Sequence, residues 1–156
     1  IALCVLSAGN LYFSYGEDLR GALSEEKLVS EQICDYAVDN GYELLYGNIS
    51  YLTPNAAAYS DGKLIAGCWE NDTIFHAIPY LNTRDIYRST DYSRALFVFY
   101  KGEVDAAYSE AAGSGAVLTE RARIGEYVLC TSSQQLMYPT TDIIEYYVSM
   151  GMEPPQ

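Results

Sequence analysis

Three consecutive segments decide the fold: Tyr42-Glu-Leu-Leu-Tyr-Gly47, Leu52-Thr-Pro-Asn-Ala-Ala-Ala-Tyr59 and Lys63-Leu-Ile-Ala-Gly-Cys-Trp69. The first and third are short apolar runs between turn residues, which predicts two buried strands. In the second, Thr53 is a helix N-cap candidate and Pro54 suits the first helical position. A strand, a short helix and a strand within so few residues predict a βαβ unit. Its two strands should pair in parallel through a right-handed crossover.

The flanking sequence predicts further elements around this unit. A helix should begin at Ser24 and end near Asn40, where Gly41 can adopt the left-handed conformation that terminates helices. The run Arg94–Tyr100 is apolar on both faces, which is typical of a central strand. After it we predict a helix over 103–112, an antiparallel hairpin of strands 116–124 and 126–131 split at Gly125, and a last helix over 141–150.

The expected fold is therefore α/β: one three-layer-like domain over residues 1–156, with a mixed sheet, a parallel βαβ core and a C-terminal antiparallel hairpin. Residues 70–94 lack a period and should form a long surface excursion with a short helix or 3₁₀ turn near 83–87. Residues 1–15 open on an apolar run that is either the stub of a membrane helix or a buried strand. Residues 151–156 should be a frayed tail.

The charge balance excludes one large class of partner. The 156 residues carry a formal net charge of −12, with only nine Lys and Arg spread along the chain. A phosphate backbone is neutralised by clustered cations, so we expect no nucleic-acid partner, and an anionic membrane surface would repel the chain as well. The chain has sixteen tyrosines, which suit partly solvated strand surfaces or sites where a ring stacks on a sugar.

Cysteine and histidine usage gives little support for catalysis or metal binding. The four cysteines, Cys4, Cys34, Cys68 and Cys130, form no CxxC pair, and His76 is the only histidine, so no metal or cofactor is expected. Buried free thiols are the expected state, and one disulfide is the alternative in an oxidising compartment. His76 lies in an apolar stretch, which favours a structural role over a general base, and we predict no catalytic residue.

A binding crevice is expected where the two parallel strands end. In open parallel sheets, ligands bind beyond the carboxyl ends of the strands. Amides, a carboxylate and aromatic rings cluster there and could contact sugar, although the rings could instead anchor the 70–94 segment. The residues expected to line this crevice are Asn48, Ser50, Tyr51, Asn55, Trp69, Glu70 and Asn71.

The stretch from Asp39 to Lys63 resembles a known family. It is similar to the C-terminal extracytoplasmic domain of bacterial polytopic glycosyltransferases of the dolichyl-phosphate-mannose–protein mannosyltransferase-like kind. The similarity covers about the middle third of the chain, and Leu52 stands where the family often has Trp. The matching positions are Gly41-Tyr42, Gly47, Tyr51, Asn55 and Ser60-Asp-Gly-Lys63.

The resemblance implies that residues 1–15 follow a membrane helix and that the catalytic acid lies in membrane-associated loops outside this chain. The domain would then be non-catalytic, would lie on the extracytoplasmic face of the cell membrane, and would contact the membrane-embedded part of its own polypeptide. Its ligand would be a glycan acceptor or a polyprenyl-phosphate sugar. A secreted binding or interaction protein is the alternative, and a small hydrolase using His76 is the third hypothesis.

Overall fold

The computed structural model describes residues 29–48, 53–70, 74–78, 86 and 92–154. In chain order these residues form α1 (29–39), β1 (Leu44–Asn48), α2 (Thr53–Ala58), β2 (Ile65–Trp69), a 3₁₀ turn (Tyr92–Arg94), β3 (Ala95–Tyr100), α3 (Val104–Gly113), β4 (Leu118–Ile124), β5 (Tyr127–Ser132) and α4 (Thr141–Ser149). The helix start predicted at Ser24 and residues 1–15 lie outside the described part. So does the turn predicted near 83–87, apart from Ile86.

The strands form one mixed sheet in the order β2-β1-β3-β5-β4. β1 pairs in parallel with β2, with Asn48 opposite Trp69, and also in parallel with β3, with Gly47 opposite Val98. β5 is antiparallel to both β3 and β4, and the turn between β4 and β5 carries Gly125 at φ 57°. The predicted parallel βαβ core and the antiparallel hairpin are therefore both confirmed.

β3 lies in the middle of the sheet, and its side chains alternate between two apolar layers. Ala95, Phe97 and Phe99 belong to the core that α3 and α4 cover. Leu96 and Val98 belong to the core that α1 and α2 cover. The domain thus has helices on both faces of the sheet, in the three layers that the sequence predicts.

The end of α1 shows why residue 41 is glycine. Gly41 has φ +75°, and its amide donates to the Val38 carbonyl at 3.1 Å. The amide of Tyr42 donates to the Ala37 carbonyl at 3.0 Å. These two bonds form a Schellman motif, which satisfies the last carbonyls of the helix and turns the chain into β1.

Three of the four cysteines are buried free thiols, as predicted: Cys34, Cys68 and Cys130. Cys4 lies outside the described residues. Desolvation is the main reason that the pKa of each of these thiols is raised, to about 11 at Cys68. Because the thiolate is the reactive form, a raised pKa makes a thiol less reactive. These three thiols therefore pack as apolar side chains and are not activated as nucleophiles.

Candidate functional site

The chain leaves β1 and β3 in opposite directions, and this creates a crevice between their carboxyl ends. α2 follows β1, leads to β2 at one edge of the sheet, and contributes Ala56 and Ala57 to one core. α3 follows β3, leads to the hairpin at the other edge, and contributes Ala107 and Ala111 to the opposite core. Such a switch in direction between adjacent parallel strands is where open α/β sheets bind ligands.

Two polar side chains meet at this switch point, Asn48 from the end of β1 and Glu103 from the start of α3. Asn48 is fully buried, and its Nδ2 donates to Glu103 Oε1 at 2.8 Å. The backbone amide of Tyr100 donates to Glu103 Oε2 at 3.1 Å. A buried amide therefore joins one strand to the turn that follows its neighbour, and the carboxylate closes that turn.

The environment of Glu103 alters the pKa of its carboxyl. Burial raises the pKa of this carboxyl above its ordinary value, while the hydrogen bonds from Asn48 and from the Tyr100 amide act in the opposite direction. Charge at this position is stabilised by two donors rather than by a cation. A carboxylate oxygen can accept more than one hydrogen bond, so Glu103 retains acceptor capacity for a hydroxyl-bearing ligand.

Thr53 lies across the sheet from this pair, and its role differs from the predicted one. We expected its side chain to cap α2, but its Oγ1 is buried and has no hydrogen-bond partner among the described residues. The hydroxyl packs against β1 instead: a Cβ built on Gly47 would lie only 1.9 Å from it. The predicted cap bond is therefore absent, because the side chain fills the space that Gly47 leaves open.

The structure brings part of the predicted crevice together. Asn48 and Trp69 are register partners at the ends of β1 and β2, and Glu70 follows as an exposed residue. Of the other predicted residues, Asn55 lies in α2 with its side chain outside the described part, and Ser50, Tyr51 and Asn71 are also outside it. The ends of the two strands therefore converge as expected.

Trp69 takes no part in an exposed contact surface. Its side chain is 0% exposed and packs against Phe75 and Phe99, with ring centroids 5.6 and 5.8 Å away. Beyond it, Ala77 forms an isolated antiparallel bridge to Trp69, and the Ile78 amide donates to the Cys68 carbonyl. The ring anchors the segment 74–78 against β2, which was the alternative interpretation of this residue.

Trp69 is the only tryptophan, so its burial has a direct spectroscopic consequence. We expect emission that is blue-shifted relative to the unfolded chain and an iodide quenching constant several-fold lower than after denaturation, because the ring is shielded from solvent. Emission should not respond to sugars. Quenching as strong in the native as in the unfolded protein would contradict this placement.

The chain has no match among protein family models, curated proteins or solved structures. Within the part of the chain that the structure describes, no helix is long and apolar enough to cross a membrane. The same residues contain no group of three or more His, Cys, Asp or Glu that could hold a metal ion.

His76 is a surface residue in the structure. Its Nε2 lies 3.2 Å from Asp142 Oδ2, and the two side chains are 41% and 59% exposed. The hydrogen bond from Thr140, and then that from His76, lowers the pKa of Asp142. In the described part of the chain, the hydrogen bond of the His76 ring goes to Asp142 and not to a serine, threonine or cysteine that it could activate. The pair connects the segment 74–78 to α4, which fits a structural histidine.

Glu103 is the residue of the site that was missed from the sequence. The predicted crevice takes in the polar residues after β1 and β2, whereas the sequence after β3 predicts only the start of a helix. Ligands bind beyond the carboxyl ends of parallel strands, and beyond the end of β3 this rule points to Glu103, three residues after the strand ends. Its pairing with Asn48 can be predicted only when the strand order is known, because β1 lies beside β3 only if β2 is at the edge of the sheet.

Proposed function

We propose that this chain is a non-catalytic extracytoplasmic accessory domain of a membrane glycosyltransferase, and that its switch point contacts an acceptor glycan or a lipid-linked sugar. The observation that carries the proposal is the pairing of buried Asn48 with half-buried Glu103 between the ends of two parallel strands. Amide and carboxylate groups are the polar groups that fix sugar hydroxyls in binding sites. The stretch that resembles the family, Asp39–Lys63, contains β1 and α2 and ends just before β2.

Two further observations support a binding rather than a catalytic role. In the described residues, the one histidine is engaged with a surface aspartate and no thiol is activated. Glu103 is oriented by a neutral amide and a backbone N–H, and no second carboxylate is hydrogen-bonded to it in that part of the chain. Glycoside chemistry uses two carboxylates across the scissile bond, so the geometry fits recognition of a sugar better than its cleavage.

The binding proposal is tested by NMR titration of the ¹⁵N-labelled protein with a mannose oligosaccharide and with a short-chain polyprenyl-phosphate mannose. We expect saturable shifts at the amides of Asn48, Glu70 and Glu103. Glu103→Gln should weaken binding several-fold, because the carboxylate is the stronger acceptor. Glu110→Gln, at an exposed position on the same helix, is the matched control and should bind normally. Absence of shifts with both ligands would overturn the sugar-contact role.

The membrane context is tested independently of binding. The gene upstream of Ile1 should encode several hydrophobic spans of about 20 residues each. A lone signal peptide there would favour the secreted binding protein. His76→Ala should leave any hydrolase activity of the preparation unchanged, and loss of such activity would favour the third hypothesis.

A further inference from the structure

The two edge strands of the sheet differ in what covers them. At one edge, Ala77 forms an isolated bridge to Trp69 of β2, and the Ile78 amide donates to the Cys68 carbonyl at 3.0 Å. At the other edge is β4, Leu118–Ile124, and in the described part of the chain no other segment forms backbone hydrogen bonds with its outer side. This free edge of seven residues presents a row of backbone N–H and C=O groups with which another strand can pair.

β4 contains a bulge, which is centred on Arg121. Glu120 is the register partner of Cys130, and the next pair along the two strands is Ala122 with Leu129. Arg121 is therefore an extra residue that has no counterpart in the register of β5. A bulge of this kind changes which face of the sheet the following side chains occupy, because side chains otherwise alternate strictly between the two faces.

The bulge brings Glu120 and Arg123 to the same face of the sheet, although residues three apart in a regular strand face opposite sides. Their register partners in β5, Cys130 and Val128, both belong to the core that α3 and α4 cover. Nε and a terminal guanidinium nitrogen of Arg123 each donate to the Glu120 carboxylate at 2.8 Å. The two side chains are 40% and 63% exposed, Glu120 being the less exposed, so both groups can be reached from the free edge.

The remaining charged side chain of the strand, Arg121, is directed away from the free edge. Its Nε donates to Thr131 Oγ1 in β5 at 2.8 Å. β4 also differs in charge from the whole molecule, because its two arginines and one glutamate give it a net charge of +1 in a chain of net charge −12. The repulsion between two copies is therefore weaker at this edge than the net charge of the chain would give.

We propose that β4 pairs with β4 of a second copy of this chain, antiparallel and about a twofold axis at the bulge, so that two five-stranded sheets form one continuous sheet. In this register Glu120 of each copy lies opposite Arg123 of the other, and Thr119 lies opposite Ile124. Each charged pair is then made twice. Opposite charges directly across from each other stabilise a pair of strands and fix its register.

The bulge favours a second copy over an unrelated strand. A regular strand that pairs with β4 on one side of Arg121 is out of register on the other side, because it lacks the extra residue. An identical strand contains the same extra residue, so the two pair one to one and the facing side chains lie on the same side of the sheet. Charges that protect an edge repel its own copy, whereas those of Glu120 and Arg123 attract it. The pairing lies at the edge of the sheet and does not depend on the sugar-contact proposal.

Two measurements test the pairing. Sedimentation velocity at protein concentrations of about 5 to 500 µM should show a reversible monomer–dimer equilibrium with a Kd of about 10–100 µM. Hydrogen exchange followed by NMR should show amides within Leu118–Ile124 that are better protected at the highest concentration than at the lowest. A protein that stays monomeric at the highest concentration overturns the proposal. So does a dimer whose extra protection lies outside β4, for example around the exposed Val148 and Met150 at the end of α4.

Charge-swap variants test the register. Glu120→Arg and Arg123→Glu each place like charges opposite each other twice in the dimer, so each should weaken dimerisation at least about tenfold. The double variant restores opposite charges and should dimerise as the native protein does. Glu145→Arg makes the same charge change as Glu120→Arg at an exposed position of α4, the helix that contacts the segment beside β2, and should leave the Kd unchanged. Single variants that dimerise normally, or a double variant that does not regain dimerisation, would overturn the proposed pairing.

Discussion

Replacing Gly67 with alanine should lower the free energy of unfolding by about 3 kcal/mol, at the upper end of what overpacking a core usually costs. A Cβ built on Gly67 would lie 2.3 and 2.5 Å from Cδ1 and Cε1 of Tyr46. The two residues are direct partners in the register of β1 and β2. The tyrosine ring therefore lies flat over the glycine backbone, and alanine leaves no room for it there.

The ring of Tyr46 cannot move aside without further loss. Its hydroxyl donates to the Ile86 carbonyl at 2.7 Å, and the ring centroid lies 5.0 Å from that of Phe97. Burial raises the pKa of this phenol strongly, which reflects how little water reaches it. Displacing the ring would leave a buried hydroxyl without a partner, at a typical cost of about 1–3 kcal/mol.

Chemical denaturation of the variant and its controls checks this expectation. Gly113→Ala is the matched control, since a Cβ there meets nothing within 4 Å, and it should change stability by less than about 1 kcal/mol. Combining Gly67→Ala with Tyr46→Leu should cost less than the sum of the two single changes, because the clash has been removed. A Gly67→Ala variant as stable as the Gly113→Ala control would mean that the ring lies elsewhere.

The succession and type of the elements could be predicted from the sequence because local signals agree with the final packing. Gly41 terminates α1 and Gly125 lies in the hairpin turn, both at positive φ, where few other residues fit. The alternation of Ala95, Phe97 and Phe99 with Leu96 and Val98 marks a strand covered on both faces. These signals are carried by neighbouring residues and need no knowledge of the rest of the chain.

The site was less predictable because it depends on which strands are neighbours. Trp69 was expected to line the crevice because it ends a strand and polar residues follow it. The segment 74–78 folds back over it, and Phe75 with φ 66° packs against its ring. That backbone conformation is rare for a large side chain, so no local preference predicts it. The partnership of Asn48 with Glu103 spans 55 residues and is invisible without the sheet order.

The second large effect is expected for Asn48→Asp, which should destabilise the fold by about 3 kcal/mol at pH 7, as an uncompensated buried charge does. Asn48 is fully buried and donates to Glu103 Oε1 at 2.8 Å. The substitution replaces that donor with a carboxylate, so two acceptors with like charge face each other. Two such groups cannot both stay ionised, and the pair must share a proton.

The stability lost in Asn48→Asp should depend on pH in the direction expected for repulsion between two carboxylates. A carboxyl whose pKa is raised in the folded state stabilises the fold most at low pH, and that contribution is lost as the pH rises through the raised pKa. The pKa of Glu103 is already raised by burial in the native protein, and a carboxylate at position 48 would raise it further. The difference in stability between variant and native protein should therefore shrink as the pH falls from 7 towards 5.

A double variant separates charge repulsion from a simple loss of packing. In Asn48→Asp combined with Glu103→Gln, the glutamine amide can donate to the new carboxylate while its oxygen accepts the bond from the Tyr100 amide, which Glu103 accepts in the native protein. Most of the stability lost in the single variant should return, and its extra pH dependence should disappear. Denaturant unfolding at pH 5 and pH 7 measures both effects. A deficit that is equal at the two pH values, and that Glu103→Gln does not relieve, would show that the two side chains do not form a pair at the switch point.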